Sequence, residues 1–123
     1  ILEEMIDHVS KLLLELKLPF RLVKLCGGDL SFSSALTFDF EVFSAAQEKW
    51  LEVSSVSNFE SFQSIRSNIK IRENLTLDFC HTLNGSSLAL PRIMAAILEN
   101  NQTNSGINIP QCLWDYTGFK LIS

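Results

Sequence analysis

The chain has 123 residues, 46% of them hydrophobic and 20% charged, with a formal net charge of −4. That length fits one domain, and nine Phe, two Trp and many Leu supply enough apolar material to exclude disorder as the main state. The acidic balance gives this chain alone no basic field for strong nucleic-acid binding, and no apolar run approaches the ~20 residues that span a bilayer.

Residues 2–16 place Leu2, Met5, Ile6, Val9, Leu12, Leu13 and Leu16 at helical spacing, with Glu3, Glu4, Asp7, His8, Lys11 and Glu15 on the other side, which predicts an amphipathic helix. The pattern starts at once, with no initiator Met and no capping side chain before it, so the chain reads as a segment of something longer. Pro19 stops the helix. Phe20 to Leu25 reads as a strand broken by Gly27-Gly28-Asp29. Thr37 to Phe43 alternates, with Phe38, Phe40 and Val42 on one face and Thr37, Asp39 and Glu41 on the other. A short turn at Ala45-Ala46-Gln47-Glu48 leads into a second strand, Lys49 to Val56, and the two form an antiparallel hairpin.

A short helix is expected at Phe59–Ser64, capped by Asn58 or Ser57. Ile69 to Arg72 is a brief strand, followed by a polar loop at Glu73-Asn74. Leu77 to Gly85 reads as one strand, with His81 as a hydrogen-bonded core histidine. Residues 88–101 form a second helix with an apolar stripe of Leu90, Ile93, Met94, Ile97 and Leu98 and with Pro91 in its first turn. A Ser105-Gly106 turn and a short apolar piece at Ile107–Ile109 follow. The class is α+β, an antiparallel β-sheet with flanking helices against one face. Cys26, Cys80 and Cys112 are odd in number and unpaired in spacing, which suits reduced apolar side chains.

Standard phosphate-loop, dinucleotide and nucleophile-elbow motifs are absent, and neither histidine has metal-ligand spacing. What remains is a polar constellation. Glu52 and Ser55 interrupt an apolar strand; Thr82, Asn84 and Ser86 share a face of another; Arg92 opens the following helix. A helix start with an Arg beside it suits phosphate. A carboxylate with a hydroxyl suits a hard cation such as Mg²⁺. The constellation therefore suggests a nucleotide–metal site on a sheet, set against the plainer reading of a solvated sheet face with an ordinary helix start.

Three ordered blocks carry a family resemblance. They are His81 to Arg92 followed by Ala96 to Gln102; Leu51 to Asn58 with Phe62-Gln63 and Arg66; and Leu25 to Phe32 with Thr37 to Val42. The chain resembles bacterial seryl-tRNA synthetases, class II aminoacyl-tRNA synthetases, in a version like that of the Bacteroidetes group. Residues 81–102 look like motif 3. Motif 1, motif 2 and the N-terminal tRNA-binding arm have no counterpart, so the resemblance makes residues 1–123 a partial catalytic domain.

The resemblance implies a cytoplasmic, homodimeric serine–tRNA ligase with no membrane association. Such an enzyme activates L-serine with ATP to seryl-adenylate and transfers the seryl group to tRNA-Ser, gripped mainly by the arm. It implies catalytic roles for Arg92 and Glu52, ATP binding by Glu52, Val53, Ser54, Ser55 and Arg92, Mg²⁺ binding by Glu52 and Ser55, and serine binding by Ser86, Asn84 and Thr82. Ile65 stands where many family members carry a basic residue. Two other readings compete: a synthetase-like interaction protein without catalysis, and an inactive truncated gene product. One physical condition falls on the site. Glu52 and Ser55 are three residues apart and face opposite ways in a regular strand, so a shared site requires a bulge or similar irregularity at Val53–Ser55.

Overall fold

The computed structural model of the chain describes residues 1–73 and 75–123, Glu73 by its backbone alone. Helix α1 (Leu2–Glu15) turns Val9 and Leu13 inward. It ends at Leu16 because Lys17 enters the left-handed region, with φ 55°, just ahead of Pro19. Strands β1 (Phe20–Lys24), β2 (Leu36–Ser44) and β3 (Lys49–Asn58) follow, then helix α2 (Phe62–Ser67), the hairpin strands β4 (Lys70–Glu73) and β5 (Thr76–Phe79), and β6 (Leu83–Gly85). Helix α3 (Leu90–Asn100) precedes β7 (Gln102–Thr103) and β8 (Gly106–Asn108); a 3-10 turn at Gln111–Leu113, α4 (Trp114–Thr117) and β9 (Leu121–Ile122) complete the chain.

The main sheet has the order β1-β2-β3-β6, every neighbouring pair antiparallel. One face carries the core. Phe40 and Val42 of β2 and Val53 and Val56 of β3 pack with Val9 and Leu13 of α1 and Ile93, Ala96 and Ile97 of α3. Each of these side chains larger than Ala96 contributes about 1.5–3 kcal/mol when taken out of water, before chain entropy is set against it. The small sheet β7-β8-β9 is separate; Gly106 sits there at φ 132° because a Cβ would lie 2.2 Å from the Ile122 carbonyl oxygen.

The expected fold class holds, and five local expectations are corrected. Helix α2 starts at Phe62 and uses neither Asn58 nor Ser57 as a cap. The Glu60 N–H donates to Asn58 Oδ1 at 2.8 Å and Glu60 takes φ 47°, so the chain leaves β3 through an Asx turn before it can coil. The expected Leu77–Gly85 strand is two strands in two sheets, because β5 pairs with β4 and β6 with β3. His81 lies in the gap between them and is exposed. Of the polar loop expected at Glu73-Asn74, Glu73 instead ends β4, and Asn74 lies outside the described residues. Finally, Leu90 and Met94 of the α3 stripe stay exposed; with Leu12, Tyr116 and others they line an apolar cavity of about 670 Å³ between α1, α3 and the C-terminal segment.

Candidate active site

The sheet face opposite the core is polar, and the strand register says which residues share it. Directly opposed residues of neighbouring strands lie on one face. Thr37 pairs with Ser57, Asp39 with Ser55, and Glu41 with Glu52, while Ser57 also faces Asn84 of β6. Thr37, Asp39 and Glu41 alternate along β2, so all these side chains project to the same side. Some are spoken for. Arg21 of β1 pairs with Glu41 and lies 4.7 Å from the Trp50 ring centre, and the Thr37 and Ser57 hydroxyls are 2.8 Å apart. The Glu52 carboxylate and the Asn84 carboxamide make no hydrogen bond among the described residues. Asp39 Oδ1 is buried and also without a partner.

Glu52 and Ser55 reach that face together because β3 carries one extra residue. Phe40 pairs with Ser54 but the next residue, Glu41, pairs with Glu52, so Val53 has no opposite number. The consecutive residues Val53 and Ser54, 2% and 1% exposed, both turn inward, and the alternation restarts one step later. This is the irregularity that a shared site demands.

The bulge also needs its free edge satisfied, since β6 covers β3 only from Val56 to Asn58. The segment after β6 does this in place of a strand. Ser86 N–H donates to Ser55 O at 2.9 Å, Ser55 N–H donates to Ser86 Oγ at 2.9 Å, and Ala89 N–H donates to Val53 O at 2.6 Å. The Ser54 hydroxyl donates to Ser86 O, and the Arg92 guanidinium donates to Glu52 O. Leu88 accepts φ 60° in this segment so that its side chain can reach the core while the backbone follows the β3 edge. Two stretches more than thirty residues apart are thereby locked into one unit.

The chain matches the model of the tRNA synthetase class II core domain (G, H, P, S and T) over residues 1–101. It belongs to that family. Among curated class II relatives, it is 50% identical to the serine–tRNA ligase of Salinibacter ruber over 98% of this chain, and 49% identical to that of Methanosarcina barkeri over 95%. It spans 29% and 28% of their lengths, less than a third of each. The seryl-tRNA synthetase of Pyrococcus horikoshii complexed with ATP superposes with a TM-score of 0.90 at 38% identity, covering 99% of this chain and 29% of that one. The cytoplasmic serine–tRNA ligase of Naegleria fowleri in complex with AMP gives 0.89 at 32% identity, with the same coverage of both chains.

Within this class II core, the residues expected at the site fall into three groups. Glu52, Ser55 and Asn84 present side chains to the polar face, and Ser86 and Arg92 flank the bulge through the bonds given above. Val53 and Ser54 turn their side chains inward, Val53 into the core and Ser54 onto Ser86, so neither presents a side chain to the polar face. Thr82 lies farther out, where its hydroxyl donates to Gln63 Oε1 of α2 at 2.7 Å. Asp39 is the addition that the sequence reading left out. Its alternation with Thr37 and Glu41 marked it as a polar strand residue, but only the register places it opposite Ser55.

Proposed function

We propose that this chain is part of the catalytic domain of a serine–tRNA ligase. The enzyme joins the carboxylate of L-serine to the α-phosphate of ATP, releasing pyrophosphate, and then passes the seryl group to the terminal adenosine of tRNA-Ser. The bulge at Val53 is the observation that carries this reading, because it puts a carboxylate and a hydroxyl on one polar face beside an Arg at a helix start. The donor set suits the group implied for it: Glu52 and Ser55 offer the hard oxygen ligands a Mg²⁺ ion takes, and the carboxylate has no competing partner among the described residues. When bound, that ion supplies charge neutralisation for the departing pyrophosphate.

The protein's own residues do the positioning. Arg92 presents fixed guanidinium donors to the phosphates, and its bond to Glu52 O holds the side chain over the strand edge. Ser86 and Asn84 supply hydroxyl and carboxamide groups for serine, with Thr82 at the margin. A pocket built to hydrogen-bond a hydroxyl leaves its own polar groups unpaired with alanine, which is the basis for rejecting it. Catalysis of this kind rests on orientation and charge stabilisation, with no covalent protein nucleophile. In the same reading the enzyme works in the cytoplasm and forms a homodimer through parts outside these residues. No helix among the described residues is long and apolar enough to cross a membrane.

Serine-dependent ATP–pyrophosphate exchange by the intact enzyme carrying this chain tests the reading. Arg92→Ala is expected to lower exchange by at least about a hundredfold, the scale of losing one charge-stabilising donor. Arg92→Lys, which keeps a cation but loses the fork, is expected to fall between. Undiminished exchange in Arg92→Ala overturns the assignment. An intact wild-type protein that folds but shows no exchange selects the interaction-protein alternative.

A further inference from the structure

A second cleft lies off the sheet face, where the chain enters β2 and leaves β3. It has a volume of about 350 Å³, with residues 32–35 on one wall and residues between 59 and 66 on the other. Its recognition groups are aromatic and planar. Phe32 stands edge-on to Phe62, ring centres 5.4 Å apart at 86°, and the Arg66 guanidinium lies 3.4 Å from the Phe62 ring centre. Arg66 spends one donor on the Phe62 carbonyl at 2.8 Å, and the rest of its fork is free among the described residues.

Phe32 is 92% exposed, yet its turn is anchored. Ser34 N–H and Ser34 Oγ both donate to Ser31 O, at 3.1 and 3.2 Å, and Ala35 N–H donates to Asn58 O at 2.9 Å. A Phe ring is thus held out in water on a fixed backbone.

The charges narrow the ligand. Arg66 and Glu60 both line the cleft, so its net charge is near zero and a bare phosphate is not what it selects. An aromatic face, a planar cation and a carboxylate acceptor together suit a nucleobase that stacks and carries an exocyclic amine. The cleft also adjoins the candidate active site. Asn58, which anchors its wall, pairs with Leu83 beside Asn84, and it lies three residues from Ser55, about 10 Å along a strand. Gln63, from the same helix as Phe62 and Arg66, accepts the hydrogen bond of Thr82.

We propose that this cleft holds one of the unpaired bases that precede the terminal adenosine of tRNA while that adenosine reaches the sheet face. The inference rests on the function proposed above and adds a substrate contact to it. Every tRNA ends in the single-stranded sequence CCA, whose bases all carry exocyclic amines.

The test uses the intact enzyme with Phe32→Ala and Phe32→Trp, and tRNA-Ser with or without its CCA end. Phe32 is outside the set assigned to ATP or serine and its ring contact among the described residues is with Phe62, so pyrophosphate exchange should stay at the wild-type rate in both variants. Phe32→Ala should raise the KM for tRNA and weaken binding of intact tRNA about tenfold, the size of one base–aromatic stack. Phe32→Trp should restore both. On tRNA lacking CCA, wild type and Phe32→Ala should bind alike.

An unchanged tRNA affinity overturns the proposal, as does a defect that persists on the truncated tRNA. A raised KM for ATP, or a loss of thermal stability without a loss of tRNA affinity, overturns it too, because the ring then serves the nucleotide or the packing of the protein. The binding arm needs no catalysis, so a wild-type enzyme without exchange would defeat the functional reading and still leave the cleft decided.

Discussion

The two faces of β3 are built from the same ten residues and answer to different demands. On the core face Val53, Ser54 and Val56 are buried, and each polar atom there has a partner, as the Ser54 hydroxyl has in Ser86 O. On the polar face the Glu52 carboxylate is exposed and has no hydrogen-bond partner among the described residues, and neither have the two groups that the neighbouring strands set beside β3, the exposed Asn84 carboxamide of β6 and the buried Asp39 Oδ1 of β2. One face is satisfied by the fold. The other holds groups that the fold leaves unsatisfied, and such groups are what a ligand completes.

The sharpest way to break the contrast is on the core face. Phe40, fully buried beneath α1 and α3, should cost about 3–5 kcal/mol when cut to alanine, read as a lowered midpoint in urea denaturation. Adjacent residues on opposite faces sharpen it. Ser54→Ala should lose about 1 kcal/mol of stability, since it leaves the Ser86 carbonyl short of a donor. Ser55→Ala should stay within about 0.5 kcal/mol, because Ser55 meets Ser86 through its backbone. Its effect should fall instead on pyrophosphate exchange. Comparable stability losses in the two variants would mean that the faces do not divide the labour.

Asp39→Asn has an expected effect on folding of the opposite sign. Removing a charge whose buried oxygen has no partner should leave stability unchanged or raise it by about 1 kcal/mol, while slowing exchange. A clear loss of stability, measured by the same denaturation, would make Asp39 a structural residue.

Much of the fold was legible in the sequence because periodicity reports burial directly. Helix α1 and the β2–β3 hairpin fall where the apolar spacing puts them. Periodicity does not report partners. Leu77 to Gly85 keeps one alternation while the chain leaves one sheet and joins another, so a single strand was expected where there are two. The start of α2 was misplaced for a local reason: Asn58 was read as a helix cap, but its side chain makes an Asx turn.

The candidate site divides in the same way. Glu52, Ser55, Asn84, Ser86 and Arg92 could be named from chemistry and resemblance, and the bulge could be demanded from their spacing. The inward turn of Val53 and Ser54, the Thr82–Gln63 bond and the place of Asp39 opposite Ser55 depend on register between segments, which no local pattern holds.

The unpaired residue at Val53 also governs how the hairpin can fail. A bulge divides β3 into two stretches of opposite phase, and β2 opposite it has no such division. If β3 ran regularly past Val53, its two stretches would share one phase, and Glu52 or Ser55 would be driven against Phe40 or Val42. The residue that lets Glu52 and Ser55 face the same way is thus held in place by the core, because a pairing that lost the bulge would bury a polar side chain there before it could disturb the site.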